Sequence, residues 1–95
     1  RTLCVMLLNT KYLYDKRILS RRNLADLYAA IRFGQYNEYM LENMLDEIGM
    51  KNFASRIFYI LYKSMSLEEG FIPFDMLCDR RTKNIIKTLF KSNMQ

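Results

Sequence analysis

Few side chains in this sequence are of types that do chemistry, and their spacing decides what they can do. Glu42, Asp46 and Glu47 place three carboxylates close together. Neighbouring carboxylates can act as acid and base when a pocket tunes their pKa values. Here they fall opposite an apolar stripe, on the side of a helix that the stripe turns to solvent. A solvated acidic face is the expected outcome. Serines and lysines occur at no spacing that would activate a nucleophile. Gly34, Gly49 and Gly70 lie too far apart to form a phosphate loop. There is no histidine, and Cys4 and Cys78 are far apart. A zinc site needs about four ligands at suitable spacing, so no metal is expected, nor any cofactor. Both thiols are expected as small core residues in a reducing compartment such as the cytoplasm. The chain reads as non-enzymatic.

Charge points towards binding. Fifteen Lys and Arg against ten Asp and Glu give a net charge of +5. The cations form two groups. Lys16, Arg17, Arg21 and Arg22 precede or open one helix; Arg80, Arg81, Lys83, Lys87 and Lys91 follow another. A basic helical face can be merely solvated, can dock an acidic protein surface, or can track phosphates of a nucleic acid. Because the same chain carries an acidic face, a basic patch on one copy can meet the acidic patch of the next, head to tail.

The elements that hold these residues read as helices. Leu3, Met6, Leu7 and Thr10 recur at helical spacing from Thr2 to about Tyr14. A second helix carries Leu24, Leu27, Tyr28 and Ile31 on one face, with Asn23 as its expected N-cap and Ser20 as the alternative. Gly34 is expected to end it in the left-handed conformation. The third starts near Asn37 or Glu38, buries Met40, Leu41, Met44, Leu45 and Ile48, and closes at Gly49. The fourth spans about Asn52 to Met65. Phe53, Ala54, Ile57, Phe58, Ile60 and Leu61 face inward, so it is the candidate central helix. Gly70 and Pro73 allow at most a short turn after Ser66. The last helix begins at Asp75 or Asp79, on a stripe of Ile85, Ile86, Leu89 and Phe90 that Met76 and Leu77 extend backwards.

Three glycines and one proline leave little for the tight turns of a sheet. The expected fold is all-α, a compact bundle of five or six short antiparallel helices in one domain over residues 1–95. The first residue is Arg rather than Met, so the sequence is read as a piece of something longer. Its longest apolar run, Leu3–Leu8, is far short of the roughly 20 residues that cross a bilayer.

The order of these helices resembles the death-effector-domain branch of the death-fold superfamily over residues 5–61. "VMLLNTKYLYDKR" is similar to that family's apolar run and charged break. "LADLYAAIRFG" resembles its L-F-x-x-L…G helix, and "LENMLDEIGMKNFASRIFYIL" is similar to the two helices that follow. The family's R-x-D-L motif falls on Met50–Phe53, where only the apolar last position is kept. The resemblance implies a non-catalytic adaptor that binds its own kind in apoptotic or inflammatory signalling, or a viral inhibitor of one. It also implies that Val5, Met6, Leu7 and Leu8 supply core and part of an apolar contact patch.

A protein partner is thus the expected ligand, with Arg21, Arg22, Tyr36, Tyr39, Glu42, Asp46 and Glu47 as the candidate docking surface. Arg80, Arg81, Lys83, Lys87 and Lys91 form the candidate basic patch. The rival expectations are a nucleic-acid-binding helix and a helical fragment of a larger assembly.

Overall fold

The computed structural model describes the backbone of residues 2–93 and the side chains of residues 3–89. Five α-helices follow one another: α1 (Thr2–Asp15), α2 (Arg21–Phe33), α3 (Glu38–Glu47), α4 (Lys51–Met65) and α5 (Arg80–Asn93). A 3-10 turn at Glu69–Phe71 interrupts the segment between α4 and α5. No strand occurs among the described residues. The all-α bundle expected from the apolar periodicity is what forms.

Helix ends follow from a few polar atoms. α2 starts at Arg21, because Ser20 rather than Asn23 is its N-cap. Asn23 lies one turn in, and its Oδ1 accepts from the Ser20 N–H and hydroxyl, each at 2.9 Å. The asparagine thus works from the far side of a capping box. Asn37 caps α3, its Oδ1 accepting from the Met40 N–H at 3.0 Å. Gly49, at φ +72°, closes that helix as expected. The Met50 N–H donates to the Leu45 carbonyl at 2.7 Å and the Gly49 N–H to Asp46 at 3.2 Å, the two bonds of a Schellman turn.

Gly34 differs from expectation. Its backbone is extended, φ −80° and ψ 162°, so no left-handed residue ends α2. The glycine is needed for space: a Cβ there would strike the Ala30 carbonyl oxygen. α1 instead uses a left-handed residue that is not glycine. Arg17 sits at φ 62°. The Arg17 N–H donates to Tyr14 at 2.9 Å and the Ile18 N–H to Leu13 at 3.0 Å. A left-handed L-residue costs about 1–2 kcal/mol, part of which glycine would lose again in the more mobile unfolded chain. Arg17→Gly is expected to stabilise the fold by about 0.5–1 kcal/mol, read as a raised urea midpoint. A lowered midpoint would mean that the arginine side chain contributes more than its backbone costs.

α4 is the central helix, packed on α2, α3 and α5, while α1 lies against α2 and α3. Phe53, Ala54, Ile57, Phe58, Ile60 and Leu61 are all buried. They meet Leu7 of α1, Leu27 and Ile31 of α2, Leu45 of α3 and Ile85 and Leu89 of α5 in one core. The radius of gyration, 12.3 Å, is that of a well-packed globule of this length.

Three expectations about the core are corrected. Met40 and Ile48 are exposed, because Leu41 and Leu45, with the half-buried Met44 beside them, fill the contact of α3 with its neighbours. Met76 and Leu77 precede α5 in an irregular segment, where the Leu77 N–H donates to the Ser55 carbonyl at 3.2 Å. Of the two thiols, Cys4 is buried but Cys78 is exposed. Phe90 and Lys91 lie beyond the described side chains. No described helix is long and apolar enough to cross a membrane.

Candidate protein-docking faces

The acidic face is built on α3. Tyr39, Glu42 and Asp46 recur at i, i+3 and i+7, so one row along the helix carries a ring and two carboxylates. Tyr39 is 75% exposed. Asp46 and Glu47 are exposed and join no ion pair among the described residues. Glu42 is half-buried, and its Oε2 lies 2.7 Å from Lys51 Nζ at the start of α4. Lys51 is pushed up, first by the hydrogen bond to Glu42 and then, against the opposing desolvation, by Asp46 and Asp75. This bridge closes the Schellman turn from outside and leaves the rest of the acidic row open.

The basic face is built on α5. Arg80, Lys83 and Lys87 stand at i, i+3 and i+7, with Arg81 beside them, all exposed. None forms an ion pair among the described residues. Lys91, the next member by spacing, lies outside the described side chains. Arg80 and Arg81 open α5, and Arg21 and Arg22 open α2, with no acid in either first turn. Cations at a helix N-terminus add to the positive end of its dipole. At α5 the carboxylate of Asp79, just before the helix, offsets part of that added charge.

The candidate residues do not form one continuous surface. Arg21 and Arg22 stand at the start of α2, whereas Tyr36 follows its end, about 20 Å of helix away. Tyr36 and Tyr39 are brought together and line one cleft. Tyr36 is half-buried, and its phenol is pushed up to about 12, by burial first and the Glu38 carboxylate second. On α1, Leu7 is buried, Met6 half-buried, and Val5 and Leu8 exposed; with Tyr12 they leave an apolar stripe on the solvent side.

A residue pair that sequence reasoning missed holds the basic face in place. Arg56 is buried in α4, and its Nε and Nη2 donate to the two Asp79 carboxylate oxygens at 2.9 and 3.0 Å. Asp79 Oδ1 also accepts from the Thr82 N–H at 3.2 Å, and the Asp79 N–H donates to Thr82 Oγ1 at 3.1 Å. One carboxylate therefore caps α5 and clamps it to α4. The only signal in the sequence was the D-x-x-T spacing of a cap. Nothing local points from Asp79 to Arg56.

The bidentate arginine holds the Asp79 carboxyl well below the usual range, with Thr82 adding to it against partial desolvation. A depressed carboxyl stabilises the fold above the titration of the unfolded side chain, about pH 4, and that contribution is lost as pH falls towards the folded value. Asp79→Asn is expected to be less stable than the parent at pH 7, by a margin that shrinks towards pH 3. Thermal unfolding across that range checks it. A margin that stays constant would contradict the clamp.

Among the described residues no group of three His, Cys, Asp or Glu side chains is placed to share a metal ion. Comparison of the sequence with protein-family models found no match, nor did comparison with curated proteins or with solved structures.

Proposed function

We propose that the chain is a non-catalytic protein-interaction module, in which the basic face of one copy docks on the acidic face of the next. One observation carries this reading. Arg80, Lys83 and Lys87 on α5 and Asp46 and Glu47 on α3 are exposed and without ion pairs among the described residues. Both helices pack on α4. The two rows also match in length: Tyr39 to Asp46 and Arg80 to Lys87 each advance seven positions, about 10.5 Å of helix. Arg80 against Tyr39 adds a cation–π contact to the charge pairs. Such a contact is head-to-tail, the kind that builds rings or filaments when it is not made reciprocally.

The resemblance of residues 5–61 to death-effector domains agrees with this reading. It adds the proposal of an adaptor, or a viral inhibitor of one, in the apoptotic or inflammatory signalling of a reducing cytoplasm. The exposed Val5 and Leu8 would then belong to the apolar contact patch.

Exposed ion pairs contribute about 0.2–1 kcal/mol each, so the contact is weak and screened by salt. Light scattering coupled to gel filtration is the test. The expected result is a mass that rises with concentration at low ionic strength and returns to the monomer in about 0.5 M salt. A monomer at all concentrations and salts would overturn the homotypic reading. The rival reading, a phosphate-tracking helix, draws on the same α5 row. It requires nucleic-acid affinity that increases when Asp46 and Glu47 are neutralised, whereas protein docking is lost by that change.

A further inference from the structure

An open cleft of about 560 Å³ lies where the end of α2, the connector Gly34–Asn37, the start of α3 and the 3-10 turn meet. Its volume is that of a small-ligand site, but its open form suits a chain laid across the surface.

Three features define what it would take. The first is aromatic: Tyr36, Tyr39 and Phe71 line it. Arg32 already rests its guanidinium 4.9 Å from the Phe71 ring centroid, so that ring is spoken for, and Tyr36 and Tyr39 remain. The second is the connector backbone. Gly34 and Asn37 are both extended. From the Gly34 carbonyl to the Asn37 N–H, no backbone group is hydrogen-bonded within the described chain. A short segment that is extended at both ends, with free N–H and C=O groups between them, offers a template for strand pairing. The third is charge. Glu38 lines the cleft, Glu68 lies 3.2 Å from Arg32 at its edge, and Glu69 adjoins the lining Gly70. Arg32 against the carboxylates of Glu38 and Glu68 leaves a negative spot on a chain of net charge +5.

We propose that this cleft binds an extended peptide segment of a partner protein, its main chain paired with Gly34–Asn37 and an arginine side chain held between Glu38 and the rings of Tyr36 and Tyr39. Cationic groups gain from both neighbours: carboxylates offer charge-assisted hydrogen bonds and aromatic faces offer cation–π attraction. The assignment goes beyond the docking of α5 on α3: the two sites share Tyr39, but no α5 residue lines the cleft, and neither the connector nor Glu38 belongs to the charge pairs of that contact.

Fluorescence anisotropy with capped, labelled hexapeptides alternating valine and arginine is the test. The arginine peptide is expected to bind at least tenfold more tightly than its glutamate counterpart. Tyr39→Ala and Glu38→Lys, both at exposed positions, are each expected to weaken it about tenfold. Methylating the peptide nitrogens is expected to abolish binding. Equal binding of the arginine and glutamate peptides, or no effect of either substitution, would overturn the proposal. Retained affinity of the N-methylated peptide, or equal affinity for free arginine, would overturn it too. The double variant Lys83→Glu/Lys87→Glu should bind the peptide as the parent does. Loss of self-association in that variant with peptide binding kept therefore separates the two sites.

Discussion

Phe58→Ala is expected to destabilise the fold by about 3–5 kcal/mol, the cost of removing a ring from a packed core. Phe58 is completely buried on the central helix, and its ring meets Phe74 edge to face with centroids 5.2 Å apart. Two losses combine. The ring's transfer from water is forfeited, and a cavity opens where α4 has neighbours on several sides and little room to collapse. Phe74 lies in the irregular segment before α5, so that segment loses its anchor at the same time. A domain of this size has a total stability of roughly 5–14 kcal/mol, so the variant sits near the threshold of folding. At about 4–8 °C per kcal/mol, the midpoint in thermal denaturation followed by circular dichroism should fall by about 12–40 °C. Phe58→Leu keeps most of the volume and should cost about 1–2 kcal/mol. A loss below about 1 kcal/mol for the alanine variant would remove α4 from the centre of the core.

The largest functional effect is expected from reversing the α5 row. Lys83→Glu/Lys87→Glu turns two attractions into two repulsions, a change of about 2 kcal/mol on exposed-pair energies. That corresponds to roughly thirtyfold in the association constant. Both side chains are exposed and outside the Arg56–Asp79 clamp, so the fold should keep its thermal midpoint. Asp46→Lys/Glu47→Lys should weaken association as much from the other side. Sedimentation velocity at low ionic strength measures both. Association unchanged by either reversal would mean that the copies meet through another surface.

What the sequence showed and what it hid divide along physical lines. Leu24, Leu27 and Ile31 on α2 were legible because burial on one face of a helix leaves a period. On α4 the apolar Phe53, Ala54, Ile57, Phe58, Ile60 and Leu61 were legible as a wide apolar arc, although burial there runs unbroken from Phe53 to Phe58. Gly49 was legible because its turn requires a positive φ. Arg17 takes the same conformation, but an arginine carries no such mark. Met40 and Ile48 obeyed the period and are nonetheless exposed. Periodicity says which side faces inward, and a neighbour helix must still be there to cover it. Arg56 was the larger omission. It interrupts an apolar helix, and its partner Asp79 is 23 residues away, a distance over which no local pattern operates. The docking residues were legible as types and only partly as a surface: the acids of α3 share a row, while Arg21 and Arg22 stand at the far end of α2.

The most direct test of the docking account uses the two reversed variants together. One, Lys83→Glu/Lys87→Glu, carries acids at the facing positions of both α3 and α5; the other, Asp46→Lys/Glu47→Lys, carries cations at both. Sedimentation of each alone should give a monomer, and their equimolar mixture should recover association near that of the parent at low salt. A mixture that stays monomeric, or single variants that associate as the parent does, would contradict the pairing of α5 with α3.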